Sequence, residues 1–202
     1  MKRLRRFKVA LLAIALAGSS LCLSGCASSG TVLTTPGNPV PVAELFPNAL
    51  LAEPIKMRAG YIHTSQSFEV ASPDPIWEVS VGFVRRDDKI PFKRFHCLVD
   101  SRKSAHRSSI LLEKMCPDDE PGIHMKWELT RSDGTVIPGF TYDALKQDTN
   151  GQSGRTYRVG LGAFTNQTAG QYRVKVTVLR DFPELDVTDP HIVIDKPFFR
   201  RR

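Results

Sequence analysis

Side chains suited to covalent, metal or hydrolytic chemistry are few in this 202-residue chain, which carries four cysteines and five histidines. His63, His96, His106, His124 and His191 are scattered, without the His-Glu-x-x-His spacing that sets two imidazoles on one helical face toward zinc. His96 beside Cys97, with no comparable pair near Cys116, does not supply the tight ligand spacing of a zinc site. Gly151-Gln152-Ser153-Gly154 lacks the Gly-x-Ser-x-Gly turn and the following helix that expose a nucleophilic serine. Asp148 to Gly154 places oxygen-bearing residues at alternate positions, as a calcium loop does. Glycine is missing at the sixth place, however, and Val159 stands at the twelfth, where a bidentate glutamate belongs. Asp118, Asp119 and Glu120 form a second acidic cluster that reads as a solvated loop. What remains is Cys26, preceded by Leu23-Ser24-Gly25 and followed by Ala27-Ser28-Ser29-Gly30.

The setting of that thiol begins upstream. Lys2, Arg3, Arg5, Arg6 and Lys8 form a basic start, and Val9 to Leu23 is an apolar run broken late by Gly18, Ser19 and Ser20. This is the layout of an export signal. A membrane span needs about 20 apolar residues, and this run is shorter and interrupted. Leu23-Ser24-Gly25-Cys26 resembles the lipobox of bacterial lipoproteins. The resemblance implies diacylglycerol on the Cys26 sulfur, cleavage after Gly25 and acylation of the freed amine. The alternative is a free cysteine within an ordinary signal peptide. Each buried methylene contributes about 0.8 kcal/mol, so two or three acyl chains hold a protein stably where one does not. Ala27, in place of an aspartate, implies transfer to the outer membrane, facing the periplasm. No other cofactor is expected.

The formal charge of +7 invites a nucleic-acid reading. Five of the 28 basic residues precede the cleavage site, which leaves 23 against 21 acidic ones, a net of +2. Without Arg200, Arg201 and Arg202 the balance is −1. The basicity belongs mostly to the leader, so nucleic acid is not expected as a partner. The arginine tail reads as a solvated end. Cys97 and Cys116 are the two thiols left in a chain bound for an oxidising compartment, and they are expected to pair. The bridge would close a loop of about 20 residues, contributing on the order of 3 kcal/mol. Two buried free thiols are the alternative.

Three regions follow: a leader over 1–25, a lipidated tether over 26–54, and a β-sandwich over 55–202. The tether carries Pro36, Gly37, Pro39, Pro41 and Pro47 and would reach roughly 80 Å at about 3.1 Å per residue. Val42 to Leu51 is apolar enough to dock, which softens that boundary. After it the period is two. Trp77, Val79, Val81 and Phe83 alternate with polar or small residues; so do Ile123, Met125, Trp127 and Leu129; Tyr157, Val159, Leu161 and Ala163; and Tyr172, Val174, Val176 and Val178. These predict half-buried strands. Shorter candidates are Phe68 to Val70, Phe92 to Val99, Ile110 to Lys114 and His191 to Ile194, and Ser104 to Leu112 has room for a helical turn. Asp133-Gly134 predicts a tight turn, and Arg85 to Asp88 a hairpin turn. Seven or eight such strands predict an all-β antiparallel sandwich.

Ala169-Gly170-Gln171-Tyr172-Arg173-Val174 resembles the tyrosine corner of immunoglobulin-like domains, in which a tyrosine hydroxyl bonds back to the preceding backbone. Val174 stands where the antibody-type cysteine would be, so Cys97 and Cys116 would join adjacent strands, or a strand and a loop. Gly170 to Ile194 (GQYRVKVTVLRDFPELDVTDPHIVI) resembles the last two strands of a family of Gram-negative lipoproteins with an immunoglobulin-like domain. That resemblance implies a fold and a periplasmic address. Together these features suggest a binding module rather than an enzyme, with a protein partner in the periplasm. An immunity protein against a periplasm-delivered toxin is one form such a module could take; the alternative is a structural accessory lipoprotein of an envelope or secretion complex. Trp77 and Trp127 fall on apolar faces, which argues against an aromatic platform for carbohydrate.

Overall fold

In the computed structural model, residues 31–35, 38–71, 76–86, 88–99, 122–144, 151–152, 156–165 and 167–196 are described. In chain order the elements are β1 (Thr31–Thr35), β2 (Asn38–Pro41), α1 (Val42–Leu45), β3 (Leu51–Pro54), β4 (Ile62–Thr64), β5 (Phe68–Val70), β6 (Trp77–Val84) and α2 (Phe92–Val99). Then come β7 (His124–Arg131), β8 (Val136–Ile137), β9 (Thr141–Asp143), β10 (Gly151–Gln152), β11 (Thr156–Phe164), β12 (Gly170–Val178), a 3-10 helix (Pro183–Thr188) and β13 (His191–Asp195). Beyond the small β1–β2 hairpin, two antiparallel sheets face each other. One has five strands in the order β10-β11-β6-β13-β3. The other has six, with β12 and β7 at its centre, β4 and β5 along the free edge of β12, and β8 and β9 along that of β7. The all-β sandwich read from the alternating pattern is the fold.

The four long alternating segments are the four central strands. Val79, Val81 and Phe83 of β6, Met125, Trp127 and Leu129 of β7, Val159 and Leu161 of β11, and Val174, Val176 and Val178 of β12 are buried between the sheets. Strand β11 departs from strict alternation, because its register against β6 shifts between Gly160 and Gly162. Ala163 is thereby turned outward and Phe164 inward. Gly162 sits at φ +148°, where a side chain is strained, and a Cβ there would lie 3.2 Å from the indole nitrogen of Trp127. The irregularity leaves the Leu161 carbonyl to accept the Trp127 indole N–H at 3.2 Å.

Two edge lanes are interrupted, so that among the described residues eleven strand segments occupy nine lanes of the two sheets, against the seven or eight strands expected. Between β4 and β5, the Ser65 hydroxyl accepts the Val174 N–H at 3.0 Å, the bond a strand carbonyl would otherwise take. Between β8 and β9, Pro138 has no N–H to offer a ladder, and the chain returns to β7 where the Phe140 carbonyl accepts Trp127 N–H. Arg131 to Thr135 is the expected tight turn, with Gly134 at φ +86° and Thr135 N–H donating to the Asp133 carboxylate at 2.9 Å.

The tyrosine corner forms. The Tyr172 hydroxyl donates to the Thr168 carbonyl at 2.6 Å, fixing the entry to β12. In the immunoglobulin arrangement, the final strand pairs beside the strand that carries this corner. Here the final strand, β13, lies in the other sheet between β6 and β3, and β4 with β5 takes the place beside β12.

Three expectations are corrected. Phe92 to Val99 is helix α2, not a strand. Pro91 stands just before it, preset for a first helical turn, and Phe95 N–H bonds to the Pro91 carbonyl. Arg85 to Asp88 leads into that helix and makes no hairpin, since β6 pairs with β11 and β13. The tether boundary at Pro54 lies too late, because Leu51–Pro54 is strand β3 and the chain before it is already packed. Ile110 to Lys114, Ser104 to Leu112 and the acidic clusters around Asp118 and Asp148 lie outside the described residues.

That earlier packing covers the outer face of the five-stranded sheet. Val40, Val42, Leu45 and Phe46 form a second apolar cluster with Ala52, Val84 and Val193. Such side chains contribute roughly 1.5–3 kcal/mol each when fully buried. It is also why β6 is buried on both faces. The Phe46 ring lies directly on Gly82, where a Cβ would meet Phe46 Cε1 at 2.5 Å. On either side it meets the His191 ring, 5.7 Å between centroids, and the Arg158 guanidinium, 5.2 Å from its centroid. Arg158 is held in turn by Asp195 at 2.6 Å.

In urea unfolding, Phe46→Ala should lower stability by about 3 kcal/mol. Gly82→Ala should cost about 1–3 kcal/mol in the native chain, by displacing the ring, and almost nothing in the Phe46→Ala background. Additive costs would show that the ring does not rest on Gly82.

Candidate functional site

The best-defined surface constellation stands where α2 closes one end of the sandwich. Phe95 faces inward and meets the rings of Phe83 and Tyr157 edge-on, at 5.7 Å and 5.5 Å between centroids. One position along, the His96 imidazole lies edge-on to Tyr157 at 4.9 Å and against Phe92 at 4.2 Å. Phe92 is the outermost ring, 47% exposed, with the Arg85 guanidinium 5.4 Å from its centroid. An aromatic path therefore runs from the core to solvent and ends in a ring flanked by a cation. Phe92, Phe95, His96 and Val99 recur at spacings of three and four, the helical period, and this was the sequence signal for the site.

The helix is tied to the rest of the same end. Arg94 donates to both carboxylate oxygens of Glu184 in the 3-10 helix, from Nε at 2.9 Å and Nη2 at 2.7 Å. The Arg94 guanidinium holds the Glu184 carboxyl below the usual carboxylate range. Both side chains are well exposed, so the pair contributes little stability and serves mainly to set position. Arg86, two residues past β6, bonds Asp189 at 2.7 Å. Asp186 accepts Met57 N–H at 2.8 Å and Arg58 at 3.3 Å, joining the 3-10 segment to the loop before β4.

A second polar group sits at the seam between sheets. Glu53, opposite the inward-facing Ile192, points inward from edge strand β3. His63, opposite Val176, points inward from edge strand β4 of the other sheet. Their side chains meet at 2.7 Å, and the second Glu53 oxygen accepts Gln66 N–H at 3.0 Å. An inward charge on an edge strand also discourages edge-to-edge pairing with another chain. No local pattern marked this pair, because its partners come from separate sheets.

His191 is buried in β13. Its Nδ1 donates to the Asp189 carbonyl at 2.6 Å, since a carbonyl only accepts. Burial pushes its pKa below the usual histidine value, against the opposing effects of the Asp189 carbonyl and carboxylate. His124 stands half-buried at the start of β7. Among the described residues, no three His, Cys, Asp or Glu side chains gather to hold a metal ion.

Of the residues singled out in the sequence, Cys97 lies on α2, buried and engaged rather than free. It is on a helix, not on the strand expected for it. Cys26, Cys116 and His106 lie outside the described residues. Trp77 and Trp127 are buried, as their faces implied.

No family model matches this chain, and no curated protein matches it. Among solved structures, the crystal structure of a protein from Sulfurospirillum deleyianum aligns with a TM-score of 0.49 and 13% identity, covering 74% of this chain and 98% of that one.

Because the unfolded chain protonates His191 before the folded one does, the stability due to its neutral state is present above pH 6.5 and is lost as pH falls below it. Urea unfolding at pH 7.5 and pH 5 should show a larger loss in the native protein than in His191→Gln. Equal losses would mean that His191 does not set this dependence.

Proposed function

We propose that the protein is a lipoprotein anchored through Cys26 in the outer membrane, facing the periplasm, and that its sandwich is an immunoglobulin-like module that binds another protein. The address is supported by the basic start, the interrupted apolar run and Leu23-Ser24-Gly25-Cys26. The immunoglobulin-like reading is supported by the Tyr172 corner within a two-sheet sandwich, while the place of β13 in the opposite sheet departs from the immunoglobulin strand order. A Cys97–Cys116 bridge is supported by the oxidising compartment and by the engaged, buried state of Cys97.

Binding rests on one observation: the half-exposed Phe92 ring with Arg85 over it, standing on a helix rooted in the core. Aromatic and arginine side chains on a rigid support are the types that dominate protein–protein affinity, since they bury large area at little entropic cost. An immunity protein that neutralises a toxin delivered into the periplasm is the form of binding we favour. Its partner would then be encoded in an adjacent reading frame.

Two measurements test this. Cys26→Ser should block processing, so that intact mass shows residues 1–25 retained and no acyl groups; native protein already lacking acyl groups at residue 26 would remove the anchoring reading. Binding to the products of adjacent genes, measured by calorimetry, should weaken about 30-fold in Phe92→Ala, with urea stability changed by no more than about 1 kcal/mol. Undiminished binding in that variant would remove α2 from the interface.

A further inference from the structure

The β1–β2 hairpin sets how far the body can stand from its anchor. An unfolded tether over residues 26–54 would allow roughly 80 Å. The chain instead turns back on itself: Thr31 pairs with Pro41 across the hairpin. Paired strand residues lie about 5 Å apart. The next residue, Val42, is buried, and Val42, Leu45 and Phe46 are seated on the outer face of the five-stranded sheet. Between residue 26 and Thr31 the covalent chain spans at most about 17 Å when fully extended, at 3.3–3.6 Å per residue. The lipid attachment point therefore cannot lie more than about 22 Å from Pro41, which itself adjoins that outer face.

We propose that the outer face of the five-stranded sheet, under its α1 strap, is turned toward the bilayer and held close to it. The outer face of the six-stranded sheet, with Lys126, Arg173 and Lys175, is directed away. This rests on the anchoring reading of Cys26. It replaces the roughly 80 Å reach of an extended tether with a short leash. The seat of the strap makes the leash short: Phe46 on Gly82, between His191 and Arg158, anchors the chain to the sheet 20 residues after the acylated cysteine.

The test uses the full lipidated chain in vesicles of phosphatidylethanolamine and phosphatidylglycerol with an acceptor dye on the headgroups. A donor dye is carried on an azide-bearing residue in place of either Ala43, exposed on the strap, or Lys126, exposed on the opposite face. The two positions differ in depth by roughly 20 Å, given a sheet spacing of about 10 Å and a strap layer of similar thickness. Energy transfer from position 43 should exceed that from position 126 at least twofold. Twenty Gly and Ser residues inserted between Gly30 and Thr31 should erase the difference. Equal transfer from the two positions, or a difference that survives the insertion, would overturn the proposal. A chain beginning at residue 26 and joined through its amino terminus to a synthetic lipid gives the same comparison even if the cell does not acylate Cys26. Failure of the anchoring reading and failure of the short leash are thus separable.

Discussion

Burial of one face of the five-stranded sheet against one face of the six-stranded sheet is the constraint on which the molecule depends. Strand side chains alternate between faces, so a shift of one residue would carry Val79, Val81 and Phe83, or Val174, Val176 and Val178, out of the core together. The two central pairs, β6 with β11 and β7 with β12, hold each other in register for that reason. Where the pattern is broken, the break has a local cause. The shift at Gly160–Gly162 gives Trp127 an acceptor for its indole N–H in an otherwise apolar interior. A buried donor left without one would carry its full desolvation cost.

The edges and ends are settled by different physics. Open sheet edges expose unpaired backbone groups, and here they are short, interrupted or guarded. Ser65 replaces a ladder carbonyl with its hydroxyl, Pro138 stops a lane, and Glu53 turns inward to meet His63 across the gap between sheets. At one end α2 and the 3-10 helix cover the core, tied by Arg94 and Glu184, and the same covering puts Phe92 at the surface. Closure of the core and exposure of the Phe92 ring are therefore one arrangement.

The outer face of the five-stranded sheet follows a third rule. Gly82, Val84, Val193 and Ala52 make an apolar face that would be exposed if the chain before β3 were free. Covering it with Val42, Leu45 and Phe46 removes that surface from water. It also converts what reads as a spacer into part of the body.

The two-residue alternation over Trp77 to Phe83, Ile123 to Leu129, Tyr157 to Leu161 and Tyr172 to Val178 determined the sandwich by itself, because a strand's faces are set by its own neighbours in the chain. The turn at Asp133-Gly134 and the Tyr172 corner were legible for the same reason, each being complete within a few residues. The proposed export signal and lipobox rest on sequence alone, since residues 1–30 lie outside the described residues. Tertiary structure decided what depends on distant partners. Phe92 to Val99 became a helix because its apolar side chains meet Phe83 and Tyr157 from other strands at an end of the sandwich. Glu53 and His63 found each other across two sheets, and Val42 to Phe46 docked because a glycine, a histidine ring and a guanidinium were assembled to receive it. Local patterning acts over one to four residues; the seam joins positions ten residues apart, the strap and the aromatic path positions tens of residues apart, and only the folded chain brings them together.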